Sequence, residues 1–200
     1  MSIKGENLIK IGNDIKGLIF DCDGTLVDSM PTHWEAWLDT FAEYNLECPI
    51  SYLEQHAGVP IKETLLSYLR DYEISTIIDV DEFIARKHKK SQEKMYDVRP
   101  IEEVVDVVHR FNEILPMSVA SGGSLDNVLI SLKAINLEGI FTIIITSNDP
   151  IPGKPNPDIF LHAAQRMNVN PEHCLVFEDG DMGIIAAQRA GMKFFDVRTL

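Results

Sequence analysis

The stretch Gly17-Leu18-Ile19-Phe20-Asp21-Cys22-Asp23-Gly24-Thr25-Leu26-Val27-Asp28-Ser29 decides how this chain is read. Leu18, Ile19 and Phe20 make an apolar run that breaks into a glycine turn, with two carboxylates, Asp21 and Asp23, at the break. Such a run predicts a buried strand ending where the acids begin. Open α/β sheets bind ligands just outside the carboxyl ends of their strands. A solitary Asp-x-Asp in this position is usually an acidic turn and nothing more. Three further stretches downstream change its meaning.

Five short apolar runs predict buried strands at 17–21, 116–120, 141–146, 174–178 and 193–197. Helical patterns fall between the later ones. Leu125, Val128, Leu129, Leu132 and Ile135 keep helical spacing, as do Ile159, Phe160, Ala163, Ala164 and Met167, the latter after Asn156 as N-cap with Pro157 in the first turn. A helix over 181–190 ends at Gly191, which suits a helix C-terminus. Strand alternating with helix predicts an α/β fold, a doubly wound, mostly parallel five-stranded sheet. Between the first and second strands the pattern differs. Residues 30–97 hold at least three helical patterns and no convincing strand, marked by Trp34, Trp37, Leu38 and Phe41, by Leu65, Leu66 and Leu69, and by Phe83 with the basic run Lys87–Lys90. The expected organisation is a core of 1–29 and 98–200 with a small helical cap of 30–97 inserted after the first strand. Caps of this kind exclude water and select substrates.

The Asp-x-Asp turn offers two acids with different tasks. Asp21, ionised beside a cation, can attack phosphorus, and Asp23 can protonate a leaving group and then deprotonate water. Gly24 permits the turn, while Thr25 and Ser29 read equally well as site hydroxyls or as plain turn and cap residues. The second stretch, Ala120-Ser121-Gly122-Gly123-Ser124, follows a strand and opens a helix, where backbone N–H groups and a serine hydroxyl make an anion cradle. The third presents Lys154 between prolines in Pro152-Gly153-Lys154-Pro155-Asn156-Pro157, able to neutralise a phosphate and the nucleophile. The fourth, Val176-Phe177-Glu178-Asp179-Gly180-Asp181-Met182-Gly183, ends a strand with Glu178 and Asp179 as candidate Mg²⁺ ligands and Asp181 as helix N-cap. Each signal is modest alone. In this order, each at a strand end, they reinforce one another.

Composition narrows the partners. A net charge of −13 over 200 residues disfavours nucleic acid, whose binding rests on neutralising phosphates. It also repels phosphorylated metabolites at long range, so a phosphate site needs a divalent cation and a few bases. Three cysteines, Cys22, Cys48 and Cys174, have no paired spacing for disulfides or zinc, which suits a reducing cytoplasm. Cys22, between the two aspartates, reads as a small apolar residue and not a nucleophile. No stretch of Met1 to Asp14 resembles a signal peptide and no run reaches membrane length, so no membrane partner is expected, and nothing demands more than a monomer.

In these four motifs the chain resembles the haloacid dehalogenase superfamily of phosphatases, in its β-phosphoglucomutase-like subgroup with a small helical cap. From Asp158 through Arg198 it is most similar to bacterial sugar-phosphate phosphatases of the fructose-1-phosphatase type. The resemblance implies Mg²⁺-dependent hydrolysis of a small phosphorylated metabolite through an aspartyl-phosphate. It makes Asp21 the nucleophile and Asp23 the acid/base, the latter also offering its backbone carbonyl to Mg²⁺. Ser121, Gly122 and Lys154 would hold the phosphoryl group, and Asp179 with Glu178 would complete the metal site. His33 falls where mutase-like members carry a histidine, and could orient Asp23 or simply cap its helix. In the cap loop from His56 to Lys62, Ile61 stands where mutases carry an arginine for a second phosphate; Lys62 beside it lacks the guanidinium fork. That absence favours a hydrolase over a hexose-phosphate mutase, the alternative. His88 is the position matching the family's cap lysine, with Lys87 adjacent. Gly180 replaces the serine usual after the paired acids, costing a hydroxyl but no ligand. Dehalogenase chemistry has no use for Asp23 or Mg²⁺, and phospho-acceptor signalling domains lack an insertion such as 30–97.

Overall fold

Gly17–Phe20 carries four consecutive buried residues and forms strand β1, as an apolar run covered on both faces should. The structure, a computed structural model, describes residues 9–56 and 59–200. The loop residues Ala57 and Gly58 and the first part of the N-terminal segment read above lie outside the described residues. After β1 come β2 (Val27–Asp28), α1 (Met30–Glu43), α2 (Ile50–Gln55), α3 (Ile61–Asp71), α4 (Val80–Lys94) and β3 (Arg99–Pro100). The chain continues through α5 (Glu102–Phe111), β4 (Met117–Ala120), α6 (Leu125–Ala134), β5 (Ile144–Ile145), α7 (Asp158–Met167), β6 (Cys174–Glu178), α8 (Asp181–Arg189) and β7 (Lys193–Asp196). By contacts it divides into two compact units, Met1–Asp28 with Arg99–Leu200, and Ser29–Val98.

The first unit is built on a five-stranded sheet in the order β5-β4-β1-β6-β7, every pairing parallel. This is the doubly wound α/β architecture that the alternating pattern predicts. The chain moves outward from β1 on one side through β4 and β5, then returns to the other side as β6 and β7. The reversal makes the end of β1 the topological switch point, the place at which such sheets bind ligands. Side chains alternate across the sheet. Ile19, Ala120, Ile145 and Val176 face a core shared with α7 and α8, including Phe160, Ala163 and Ala187. Phe20 faces the other way and stacks on Phe177 at 4.9 Å between ring centroids.

Several local expectations are corrected. The run 141–146 pairs only over Ile144–Ile145. A two-stranded antiparallel ribbon, β2 with β3, is additional: its strands have two residues each, too few to show a period. Asn156 does not cap α7. Pro157 occupies that position, and the Asn156 amide instead donates to the Gly153 carbonyl within its own loop at 2.9 Å. Asp181 is the first residue of α8, with Gly180 at the cap; its carboxylate accepts from Arg198 Nη1 at 2.8 Å, and acid in a first turn still favours the helix dipole.

Among its described residues the second unit holds four α-helices where the sequence patterns mark at least three; α2, of only six residues after Pro49, is the one they do not single out. Its core is aromatic. Phe41 lies 4.5 Å from Tyr68 and 5.1 Å from Phe83 between centroids, and Trp37 packs beside them. Phe41 and Phe83 are wholly buried, each contributing about 1.5–3 kcal/mol by burial. Asp79 starts α4 by accepting from the Asp81 and Glu82 amides, both at 3.0 Å.

Candidate active site

Strand register brings the acids together. Phe20 pairs with Phe177, so the next residues, Asp21 and Glu178, leave adjacent strand ends side by side; the Asp21 amide donates to the Phe177 carbonyl at 3.0 Å. Two residues after Ile19 and Val176 respectively, Asp21 and Glu178 point to the same sheet face as those core residues. Lys154, in the loop before α7, approaches on that face. Its Nζ donates to Asp21 Oδ1 at 2.6 Å and to Glu178 Oε2 at 2.7 Å, and lies 5.2 Å from the Phe160 ring centroid. All three side chains are largely withdrawn from solvent.

Asp21, Glu178 and Asp179 form a group whose carboxylate oxygens lie within 4.8 Å of one another. Burial, then the charge of Glu178, pushes the Asp21 carboxyl well above the usual range, with Lys154 pulling the other way. Burial and Glu178 push Asp179 up to about 6. Burial alone would lower Lys154, but Asp21 and Glu178 outweigh it and hold the ammonium above its ordinary value. Three acids thus share one lysine charge in a site made only of oxygen donors. That donor set fits a hard divalent cation of the Mg²⁺ kind.

Asp23 stands outside this trio of carboxylates. Its Oδ2 faces Gly123, where a Cβ would sit 3.4 Å away. The turn itself is tight: Gly24 has φ +81°, and the amides of Thr25, Leu26 and Val27 all donate to the Cys22 carbonyl at 2.9–3.3 Å. Ser121 follows β4 and is buried; its Oγ accepts from the Gly123 amide at 3.0 Å, and Ser124 caps α6. Gly122 has no atom near its Cβ position, so its backbone is open to approach.

Three features escaped the sequence reading. Thr25 Oγ1 donates to Asp179 Oδ1 at 3.0 Å, resolving the ambiguity left for that hydroxyl. Gly183 lets α8 lie against Glu178, whose carboxylate a Cβ there would strike. Ser147 and Asn148 brace the Ser121–Ser124 loop: Ser147 donates from N and Oγ to the Gly123 carbonyl, both at 3.0 Å, and Asn148 Oδ1 accepts from the Leu125 amide at 2.9 Å. A Ser-Asn-Asp loop carries no sequence signal for such a role.

In the second unit, His33 on α1 lies with Nδ1 3.2 Å from Lys87 Nζ and 3.5 Å from Ser91 Oγ on α4. His33 and Lys87 line a cavity of about 160 Å³ together with Trp34, Trp37, His56 and Ile61. Lys87, not His88, is the base that turns inward; His88 is exposed, because the residue next to an inward position points away on a helix. Lys62 is exposed beside the cavity residue Ile61.

A parallel sheet with an acid just after its central strand, two more at the end of the neighbouring strand and a lysine joining Asp21 to Glu178 defines an enzyme built for carboxylate-centred chemistry. Residues 18–197 match the haloacid dehalogenase-like hydrolase family, and the chain belongs to it. It is 35% identical over 192 residues to the fructose-1-phosphate phosphatase YqaB of Escherichia coli, covering 92% of this chain and 97% of that protein. It is 29% identical over 189 residues to the β-phosphoglucomutase of Bacillus subtilis, covering 89% and 81%. A solved hydrolase from Pseudomonas syringae superposes with a TM-score of 0.75 at 26% identity, over 90% of this chain and 84% of that one. No helix among the described residues is long and apolar enough to cross a membrane.

Proposed function

We propose that this chain hydrolyses the phosphate monoesters of small sugars through an aspartyl-phosphate on Asp21, with Mg²⁺ as cofactor. The observation that carries the reading is the bridge from Lys154 to Asp21 and Glu178, with Asp179 beside it. Asp21, Glu178, Asp179 and the backbone carbonyl of Asp23 would hold the cation. Bound there, Mg²⁺ would supply positive charge that lets anionic nucleophile and phosphate approach.

Asp21 Oδ attacks phosphorus and forms an acyl-phosphate bond while the bond from phosphorus to the sugar oxygen breaks. Asp23 gives its proton to that oxygen, and the sugar leaves. Water then loses a proton to Asp23 and attacks phosphorus. The acyl-phosphate bond breaks, regenerating the Asp21 carboxylate and releasing inorganic phosphate. Lys154 neutralises charge on the nucleophile and the transferring group, while the Ser121 hydroxyl and the Gly122 amide receive phosphate oxygens. Ser29–Val98 would act as a substrate-selecting cap, and His33 and Lys87, which line its own cavity, are its candidates for choosing the sugar. The likeness to YqaB points to a ketose 1-phosphate as the first substrate to try. Ile61 in place of an arginine supports hydrolysis over mutase chemistry.

The test is phosphate release from a panel of sugar phosphates, with Mg²⁺ and with chelator, by wild type and Asp21→Asn. Mg²⁺-dependent release lost in Asp21→Asn is expected. Absent release together with bisphosphate-primed isomerisation would establish the mutase alternative instead.

A further inference from the structure

We infer that Thr25 is a positioning residue whose hydroxyl fixes the Asp179 carboxylate in the orientation that a cation requires. The inference rests on the reading of Asp179 as a cation ligand. Two constraints converge on this one carboxylate. Thr25 is wholly buried and donates from Oγ1 to Asp179 Oδ1 at 3.0 Å, across 154 positions of sequence. Its neighbour Gly24 has no Cβ where the same carboxylate lies, and one placed there would collide with it. The acid is therefore laid against the bare backbone of Gly24 and tied to the hydroxyl of Thr25.

The tie stands on a stiff base. Three successive amides, those of Thr25, Leu26 and Val27, close on the Cys22 carbonyl and fix the backbone from which the buried Thr25 side chain reaches. The turn that holds Asp179 is also the turn that begins at Asp21. One hydroxyl thereby sets the spacing between the acid at the end of β1 and an acid just after β6. Asp179 needs that restraint, since Glu178 beside it repels it and Lys154 bonds to Asp21 and Glu178 instead. A carboxylate has about four lone-pair positions, and the threonine occupies one while leaving the others for a cation. Hydrogen bonds that hold metal ligands are typically worth about 10–100-fold in affinity.

The experiment compares Mg²⁺ binding by isothermal titration calorimetry in wild type, Thr25→Val, Thr25→Ser and Asp179→Asn. In parallel, phosphate release is measured against Mg²⁺ and against a sugar phosphate at saturating Mg²⁺. Thr25→Val keeps the shape and removes the hydroxyl; it is expected to weaken Mg²⁺ binding by about 10–100-fold while KM for the sugar phosphate at saturating Mg²⁺ holds. Thr25→Ser keeps the donor and is expected to bind Mg²⁺ as wild type does. Wild-type affinity in Thr25→Val would overturn the inference, and so would a loss in folded Thr25→Ser, which also decides the matter if Thr25→Val does not fold. Unchanged binding in Asp179→Asn would overturn the ligand reading and this inference with it. Weakened binding in Asp179→Asn but not in Thr25→Val would overturn the role of Thr25 alone.

Discussion

Gly183 on α8 lies directly against the carboxylate of Glu178 on β6, so close that the helix has no room for a Cβ at that point. The consequence reaches beyond packing, because the same carboxylate accepts from Lys154, which also holds Asp21. Gly183→Ala must push either α8 or Glu178 aside, and a misplacement of about 1 Å in a catalytic constellation can cost on the order of 10²-fold in rate. Turnover of a sugar phosphate is expected to fall by about that factor. Steady-state kinetics with circular dichroism check it; a folded variant with wild-type turnover would show that Glu178 tolerates displacement.

Lys154 is the cation that the buried carboxylates of Asp21 and Glu178 share in this structure. Lys154→Met keeps most of the side chain's bulk and leaves two adjacent acids without it. Removing one partner of a buried pair costs about 3–5 kcal/mol, since the remaining charge is uncompensated. In chelator, the urea midpoint of Lys154→Met is expected to fall accordingly. Mg²⁺ is expected to recover part of the loss, because a cation among the acids supplies the missing charge. A midpoint equal to wild type in chelator would mean that protonation of the acids compensates fully.

The five strands of the sheet were legible because buried parallel strands read as plain apolar runs, and Leu18–Phe20 and Cys174–Phe177 are such runs; their lateral order came from the structure. The meeting of Asp21 with Glu178 follows from that register, so the paired acids could be read from strand ends alone. The bond from Thr25 to Asp179 could not, since a hydroxyl after a glycine turn serves many purposes and its partner lies 154 positions away. The choice between Lys87 and His88 depended on the phase of α4, which a run of four bases conceals. Asn148 illustrates a third kind of silence: its side chain caps a helix that begins 23 positions earlier, a non-local contact with no spacing rule.

The three cysteines provide a test of burial, at the proposed active site for Cys22 and elsewhere for Cys48 and Cys174. Burial, then Asp23 and Asp21, raises the Cys22 thiol; burial alone takes Cys48 to about 12 and Cys174 to about 11. The reactive form is the thiolate, so at pH 8 only about 1 in 10⁴ of Cys48 and about 1 in 10³ of Cys174 would be available, before access is considered. A chromogenic disulfide reagent at pH 8 is expected to find no rapidly reacting thiol in the native protein and three after denaturation. Between pH 8 and 10 the native rate should rise with pH, because each step toward the raised value increases the thiolate fraction. A rapid native thiol would show that one of these sites opens readily.

Asn148 reaches from the loop after β5 to the first amide of α6, and its neighbour Ser147 holds the Gly123 carbonyl twice. Together they brace the loop that carries Ser121 and Gly122 at the N-terminus of α6, the end of a helix whose amides and dipole favour anions. Asn148→Ala deletes a capping acceptor, expected to cost about 1 kcal/mol of stability. If the loop receives phosphate oxygens, its loosening should also raise KM for a sugar phosphate and weaken inhibition by inorganic phosphate. The two inhibition constants, wild type and variant, separate the cases. A lower denaturation midpoint with unchanged phosphate inhibition would confine Asn148 to holding the helix, whereas a shift in both means that the cap also shapes the phosphate cradle.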